Sequence, residues 1–367
     1  MLALAASTLV TPEATRAEQS GSAAVYVRED TDHTTVISPR MRLRAPLVDD
    51  VHVDAVYTVD VWTSASVDIV ASASQPVTEQ RDELDLGFDW VTGDATFGLG
   101  YRYSTEPDYE SHGGAASFSL DLANKAATFA LTAGGSVDRV GRVGDADFAE
   151  DANTLNTGVS FTQVLDVSTV VQVLYDLSLI RGYQTSAYRF VGLGGNGECA
   201  GTAPGANAPY CRREQNPRER MRHAAALQLR RALGEHLSAG AGYRFYLDDW
   251  GILSHTAKAD LTWAPDAQTA LGLTYRFYTQ GKADHYKPFY GDADVNARYF
   301  TRDKELSPLS SHRAALVFDR VWAVAGGDAG LTTALEVAPT FYVYDDFLAL
   351  DQVTAIEVTA AVGMEWP

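Results

Sequence analysis

Ile356-Glu357-Val358-Thr359-Ala360-Ala361-Val362-Gly363-Met364-Glu365-Trp366 reads with a period of two. Ile356, Val358, Ala360, Val362, Met364 and Trp366 fall on one side, with Glu357, Thr359, Gly363 and Glu365 on the other. Successive side chains of a strand point to opposite faces, so this is a strand with one apolar and one polar face. A helix would need apolar residues three and four apart, and the stretch does not have them. Its length is that of a tilted strand crossing a bilayer.

The same pattern recurs upstream. Leu84, Leu86, Phe88 and Trp90 alternate with Glu83, Asp85, Gly87 and Asp89. Phe97, Leu99, Tyr101 and Tyr103 alternate with Thr96, Gly98, Gly100 and Arg102, and Val171, Val173, Tyr175, Leu177 and Leu179 with Gln172, Asp176 and Ser178. About sixteen such segments follow Ala23 (the range is 14–18), an even number as bacterial barrels require. The links sort by parity. Short ones are Leu47 to Asp50, Val91 to Asp94, Leu122 to Lys125, Asp166 to Ser168, Leu233 to His236 and Ala264 to Ala267. The alternate links, Ser64 to Gln80, Thr105 to Gly113, Asp138 to Thr154, Tyr183 to Arg220 and Gln280 to Pro308, are longer. A soluble sandwich has no reason to sort its loops this way, whereas an outer-membrane barrel has short periplasmic turns and long extracellular loops. The expected fold is therefore all-β: a single closed antiparallel transmembrane β-barrel over residues 20–367, in the bacterial outer membrane among its lipids. Ala314 to Trp322 reads on either face, and Pro339 predicts a bulge or strand end, because proline cannot donate to a ladder.

Composition fits. Of 367 residues 46% are apolar, yet mean hydropathy is only -0.14 and no run approaches the ~18 apolar residues of a membrane helix. Eighteen Tyr, 14 Phe and 6 Trp can supply interfacial girdles. A net charge of -19 argues against nucleic acid as a partner, since phosphate binding needs a basic face. Residues 1–19 read as a secretory signal lacking its basic n-region, or as a disordered tail; Leu2 to Val10 is apolar and Thr15-Arg16-Ala17 resembles a cleavage site. In an oxidising compartment Cys199 and Cys211 would pair and staple the Gly/Ala/Pro-rich segment around them.

The strand pattern puts many charges on the inward face: Arg40, Arg42 and Arg44, then Asp54 and Asp60, then Glu83, Asp85 and Asp89. Charged rings can set the selectivity of a water-filled channel. Cross-paired, they can equally lock a closed interior. An echo runs through Gly98-Leu99-Gly100-Tyr101-Arg102-Tyr103, Gly240-Ala241-Gly242-Tyr243-Arg244-Phe245 and Gly272-Leu273-Thr274-Tyr275-Arg276-Phe277. Each Tyr is expected to face lipid near the outer interface, with Arg102, Arg244 and Arg276 inward; the alternative is that the triplet is merely a convenient strand ending.

The outer loops carry carboxylates and histidines: Asp108, His112, Asp248, Asp249, His255 and His285. Such groups can hold a divalent cation, or simply be solvated; no other cofactor is implied. Asp-Asp on one loop and Asp-His on another resemble the rim groups of omptin-type proteases, which have far fewer strands. No nucleophile elbow, P-loop or HExxH helix occurs, so no catalytic residue is assigned.

Thr63 to Val70, Ser104 to Ser111, Tyr243 to Gly251 and Ser254-His255-Thr256 together resemble the bacterial family catalogued as domain of unknown function 3570. The resemblance covers most of the chain and implies an exported barrel with no assigned catalytic residues. It further implies an envelope setting near a flavin-transferring enzyme, a thioredoxin-like protein and a small lipoprotein. Trp366 resembles the final-strand aromatic read by the outer-membrane barrel-assembly machinery. The resulting expectation is a channel or transport protein for a small solute. The alternatives are a non-conducting scaffold partnering an envelope redox or lipoprotein system, and a rim-located hydrolase.

Overall fold

A computed structural model of the chain describes residues 19–64, 77–195, 199, 210–323, 329–348 and 350–366. The signal segment, most of the link between Ser64 and Gln80, and the Gly-rich stretch beyond Gly195 lie outside them. The wall is built from β1 (Gln19–Asp30), β2 (Thr34–Val48), β3 (Val51–Ser64), β4 (Val77–Thr92), β5 (Ala95–Glu106), β6 (Tyr109–Leu122), β7 (Ala127–Val140), β8 (Glu150–Asp166) and β9 (Thr169–Gly182). It continues through β12 (Glu219–Ala232), β13 (Leu237–Asp248), β14 (Leu253–Asp266), β15 (Thr269–Gln280), β16 (Leu309–Ala323), β17 (Gly330–Tyr344) and β18 (Gln352–Trp366). Two short strands, β10 (Phe190–Leu193) and β11 (Tyr210–Arg213), form a separate hairpin. Each wall strand pairs antiparallel with its sequence neighbour, and β1 pairs with β18 from Gln19↔Trp366 to Asp30↔Ala355. The result is one closed barrel of sixteen strands.

Followed around the ring, the register climbs by one residue per strand, the stagger that tilts strands and closes a barrel. Gln19 and Trp366 sit at the end with the short turns. There Asp50 and Gly93 take positive φ, 63° and 57°, as tight hairpin turns require. At the other end Gly182 has φ 117° and packs against the Asp151 carbonyl, where the chain leaves the wall.

Two expectations are corrected. The link between Thr105 and Gly113 is not long: β5 and β6 pair as far as Glu106↔Tyr109, so only Pro107 and Asp108 turn. Pro339 makes neither a bulge nor a strand end. It stays in β17, opposite Ile356, and the register to β16 is unshifted on both sides of it. The ladder simply skips the pairs beside it, between Arg313↔Thr340 and Leu316↔Val337, because the missing N–H faces β16. Pro39 interrupts the β2–β3 ladder in the same way. Ala314 to Trp322 also resolves, with Leu316 and Trp322 facing outward.

The outer surface of the barrel is apolar, with Met41, Leu99, Leu227, Leu273 and Leu335 all exposed. Trp90, Trp263 and Trp322 stand toward the short-turn end. Toward the other end runs a repeated device. Tyr101, Tyr175, Tyr243 and Tyr275 each meet the Nδ1 of a histidine on the next strand: His112 at 2.8 Å, His223 at 2.7 Å, His255 at 2.6 Å and His312 at 2.7 Å. Tyr57 donates to Asp82 at 2.5 Å in the same diagonal position. Allowing one residue per strand, these tyrosines share one height. His255 and Trp263 are eight residues apart on β14, or about 20–25 Å along the barrel axis for a tilted strand. That matches the ~25 Å apolar band of such barrels, so the Tyr–His row is the outer interfacial girdle.

Leu273→Arg, near the middle of the apolar band, is expected to lower stability by about 2–4 kcal/mol in urea titrations in bilayers. Asn156→Arg, exposed on the inner face, should change it by only about 0.5 kcal/mol.

Candidate functional site

Inside the barrel the alternation places Arg40, Arg42, Arg44, Asp54, Asp60, Glu83, Asp85, Asp89, Arg102, Arg244 and Arg276 toward the lumen, opposite outward Met41, Leu43, Tyr57, Leu84, Leu86 and Phe88. Many of them pair. Arg42 meets Asp54 at 2.7 Å, Arg44 meets Asp89 at 3.2 Å, Arg102 meets Asp85 at 2.6 Å, and Arg81 meets Asp60. Further cations belong to the lumen that the sequence reading passed over. Arg230 meets Asp260 at 2.6 Å, Arg313 lies between Glu336 and Glu357 (3.0 Å to the latter), and Arg220 holds buried Asp248 at 2.5 Å. Exposed pairs of this kind add little stability, about 0–1 kcal/mol each. Their consequence is the field they set across the lumen.

Solvent access changes along the lumen. At mid-height Arg42, Arg102, Asp176, Gln228, Arg230, Arg244 and Lys258 are exposed although they point inward. Toward the outer end the inward groups are buried: Ser104, Ser111, Asp138, Asp248, Ser254, Ser311 and Thr340. At that end the outer loops build a cap.

Residues 183–195, 210–218 and 281–308 build that cap. Val191 and Leu193 of the β10–β11 hairpin pack with Tyr290 and Phe300, while Trp250 and Ile252 of the β13–β14 turn pack with Ala283, Tyr286 and Leu306. Backbone hydrogen bonds join Gln215 to Phe300 in both directions, at 2.9 and 3.1 Å. A chain of polar contacts then crosses the mouth. Tyr188 donates to Asp108 on the β5–β6 turn and accepts from the Val143 amide. Arg189 meets Glu214 at 3.2 Å and Asp303 at 2.8 Å. Lys304 reaches Asp32 on the β1–β2 turn at 2.7 Å. The two rim contacts, on the β5–β6 and β1–β2 turns, stand four strands apart in the ring. Cys199 and Cys211 form a disulfide with Cα atoms 6.0 Å apart, tying the segment beside β11.

The candidate metal ligands are dispersed. Asp108 is taken by Tyr188, His112 by Tyr101, His255 by Tyr243, and Asp248 by Arg220 and Tyr246. Asp249 accepts from the Met221 amide. Asp249, Asp284 and His285 do line one crevice of about 400 Å³ with Trp250 and Tyr299. His285 there donates Nε2–H to Asn216 at 3.0 Å. Among the described residues no three His, Cys, Asp or Glu side chains form a metal-holding group.

Two buried cap groups have displaced protonation. Glu214 is almost fully covered, and burial pushes its carboxyl up, opposed by Arg189. Burial, then Arg220, pushes His285 down to about 4, opposed by Asp284 and Asp248. A histidine held neutral in this way contributes stability that is whole above its ordinary range and is lost as pH falls from about 6.5 toward 4.

Arg189→Ala, which strands buried Glu214, should weaken the cap by about 3 kcal/mol. The readout is hydrogen exchange at the Phe300 and Thr301 amides, with unchanged exchange in the wall strands. The same amides should open more often as pH drops from 6.5 to 4, after correction for intrinsic rates. His285→Gln should flatten that dependence.

Comparison with known proteins follows the geometry. No curated protein matches the chain. A bacterial polysaccharide outer-membrane secretin is similar in fold, with TM-score 0.54 at 8% identity, over 96% of this chain and 100% of that one. The siderophore receptor PirA of Acinetobacter baumannii gives TM-score 0.44 at 11% identity over 89% of this chain and 53% of the receptor, so the chain spans about half of its length. The toluene transporter TodX of Pseudomonas putida gives 0.42 at 10% identity, over 97% and 90%. The fold likeness rests on the first of these. The model of the family described as protein of unknown function (DUF3570) matches residues 68–158 and 145–321. With a closed sixteen-strand wall, an apolar outer band and that match, the chain is an outer-membrane β-barrel belonging to the DUF3570 family.

Proposed function

We propose that this barrel passes a small hydrophilic solute across the outer membrane and that its cap is the gate. One observation carries the reading: inward charged side chains are wetted at mid-lumen, while the groups above them are buried at the end that carries the Arg189–Asp303 and Lys304–Asp32 bridge. A purely structural interior would gain by burying its pairs or replacing them with apolar contacts. A wet, charged lumen instead suits solute in transit. The cap offers a discrete element to move, because it is joined to the rim by polar contacts and one small apolar cluster around Trp250 rather than by ladder pairing. Insertion by the assembly machinery fits the last strand, whose Trp366 closes against Gln19.

The test is conductance in planar bilayers. The native protein should conduct weakly or intermittently. Arg189→Ala combined with Lys304→Ala, which cuts the bridge twice, should raise mean conductance severalfold. A properly inserted variant that conducts no better than lipid alone overturns the reading.

A further inference from the structure

The lumen wall from β13 to β15 carries cations that have no ion-pair partner among the described residues. Lys258 on β14 lies directly opposite Arg276 on β15, and Arg276 lies directly opposite Arg313 on β16. Arg244 on β13 sits diagonal to Lys258 on the same face. Only Arg313 of this group has acidic partners. The nearest carboxylate along β14, Asp260, is taken by Arg230. No carboxylate lies within ion-pair distance of Lys258, Arg276, Arg244 or Arg222 among the described residues. The Nε of Arg276 and of Arg222 are buried without any hydrogen-bond acceptor.

This arrangement is costly unless something completes it. Like charges directly opposite in a sheet are destabilising. A buried guanidinium donor without an acceptor loses its hydration and gains nothing in return. Both costs vanish if an anion lies across the row. A guanidinium fork suits the planar or tetrahedral oxygens of carboxylate and phosphate, and a neighbouring ammonium adds a point charge. The opposite wall is balanced: on β4, eight strands from β14, Glu83 and Asp85 meet Arg102, and Asp89 meets Arg44. An anionic solute in the lumen is therefore drawn toward the wall whose cations lack such partners.

We propose that the wall of Lys258, Arg276 and Arg244 is a binding site for a small solute bearing phosphate or carboxylate groups. The inference deepens the passage reading by naming its solute class, and takes its meaning as a transit site from that reading. Binding itself is measurable with the cap closed, because the site faces the wetted part of the lumen.

The probe is inorganic pyrophosphate, titrated calorimetrically into the folded barrel in zwitterionic detergent at low salt, with citrate as a carboxylate probe and putrescine as the cationic control. The native protein should bind one or both anions and not putrescine. Lys258→Gln with Arg276→Gln should weaken anion binding at least tenfold. Arg44→Gln, whose partner is Asp89 on the other wall, should leave it within twofold. Folding of each variant is checked by its mobility on unheated gels. If neither anion binds the native protein, or if the double variant binds as tightly as native, the site is refuted. A preference for phosphate over carboxylate, or the reverse, assigns the class within the proposal. Ion selectivity then separates this inference from the passage reading. Anion binding in a protein that never conducts leaves the site standing and removes the passage. Conductance that prefers cations and ignores the double variant removes the site and leaves the passage.

Discussion

Every peptide N–H and C=O that crosses the hydrocarbon must find its partner within the protein, because no water is there to replace it. For strands this demand is met only when the sheet closes on itself. Here the closing contact is the antiparallel pairing of β1 with β18, from Gln19↔Trp366 to Asp30↔Ala355. The other features depend on it. Closure with a climb of one residue per strand sets the tilt, the tilt sets which residues share a height, and shared height turns scattered Tyr and His residues into a girdle. It also brings Lys258, Arg276 and Arg313, far apart in sequence, into one row.

Closure leaves a hole as well, and the molecule treats its two ends differently. The described parts of the long segments between β9 and β12 and between β15 and β16 lie at the outer mouth in two small apolar clusters, one around Tyr290 and Phe300 and one that joins Tyr286 and Leu306 to Trp250 of the β13–β14 turn. Glu214 and Arg189 are buried there at the cost of desolvation, which is acceptable only because Thr301, Asp303 and the Ser186 amide complete their bonding.

Much of this was legible in the linear chain. Alternation in Leu84 to Trp90 or in Ile356 to Trp366 directly gives the two faces of a strand, and so the inward position of Asp85 or Arg102. The parity of the links gave the end at which the loops lie. Legibility failed where backbone geometry overrode residue preference. Pro107-Asp108 turned out to be a two-residue turn because β5 and β6 keep pairing through Ser104 and Ser111, and Pro339 stayed in its strand because one skipped pair costs less than a broken wall. Tyr243 and Tyr275 were visible as an echo, but their partners His255 and His312 were not. Those contacts are diagonal across a register that a list of residues does not contain.

The sequence by itself therefore determined the fold class, the strand period, the sidedness and the charge of the lumen, since each depends on spacing within one strand or on the length of one link. Only the tertiary structure decided which cations face which, because pairing depends on register between strands that are distant in sequence. It alone decided that the outer mouth is bridged, because Asp108, Arg189, Asp303, Lys304 and Asp32 lie on loops that meet only once the ring has closed.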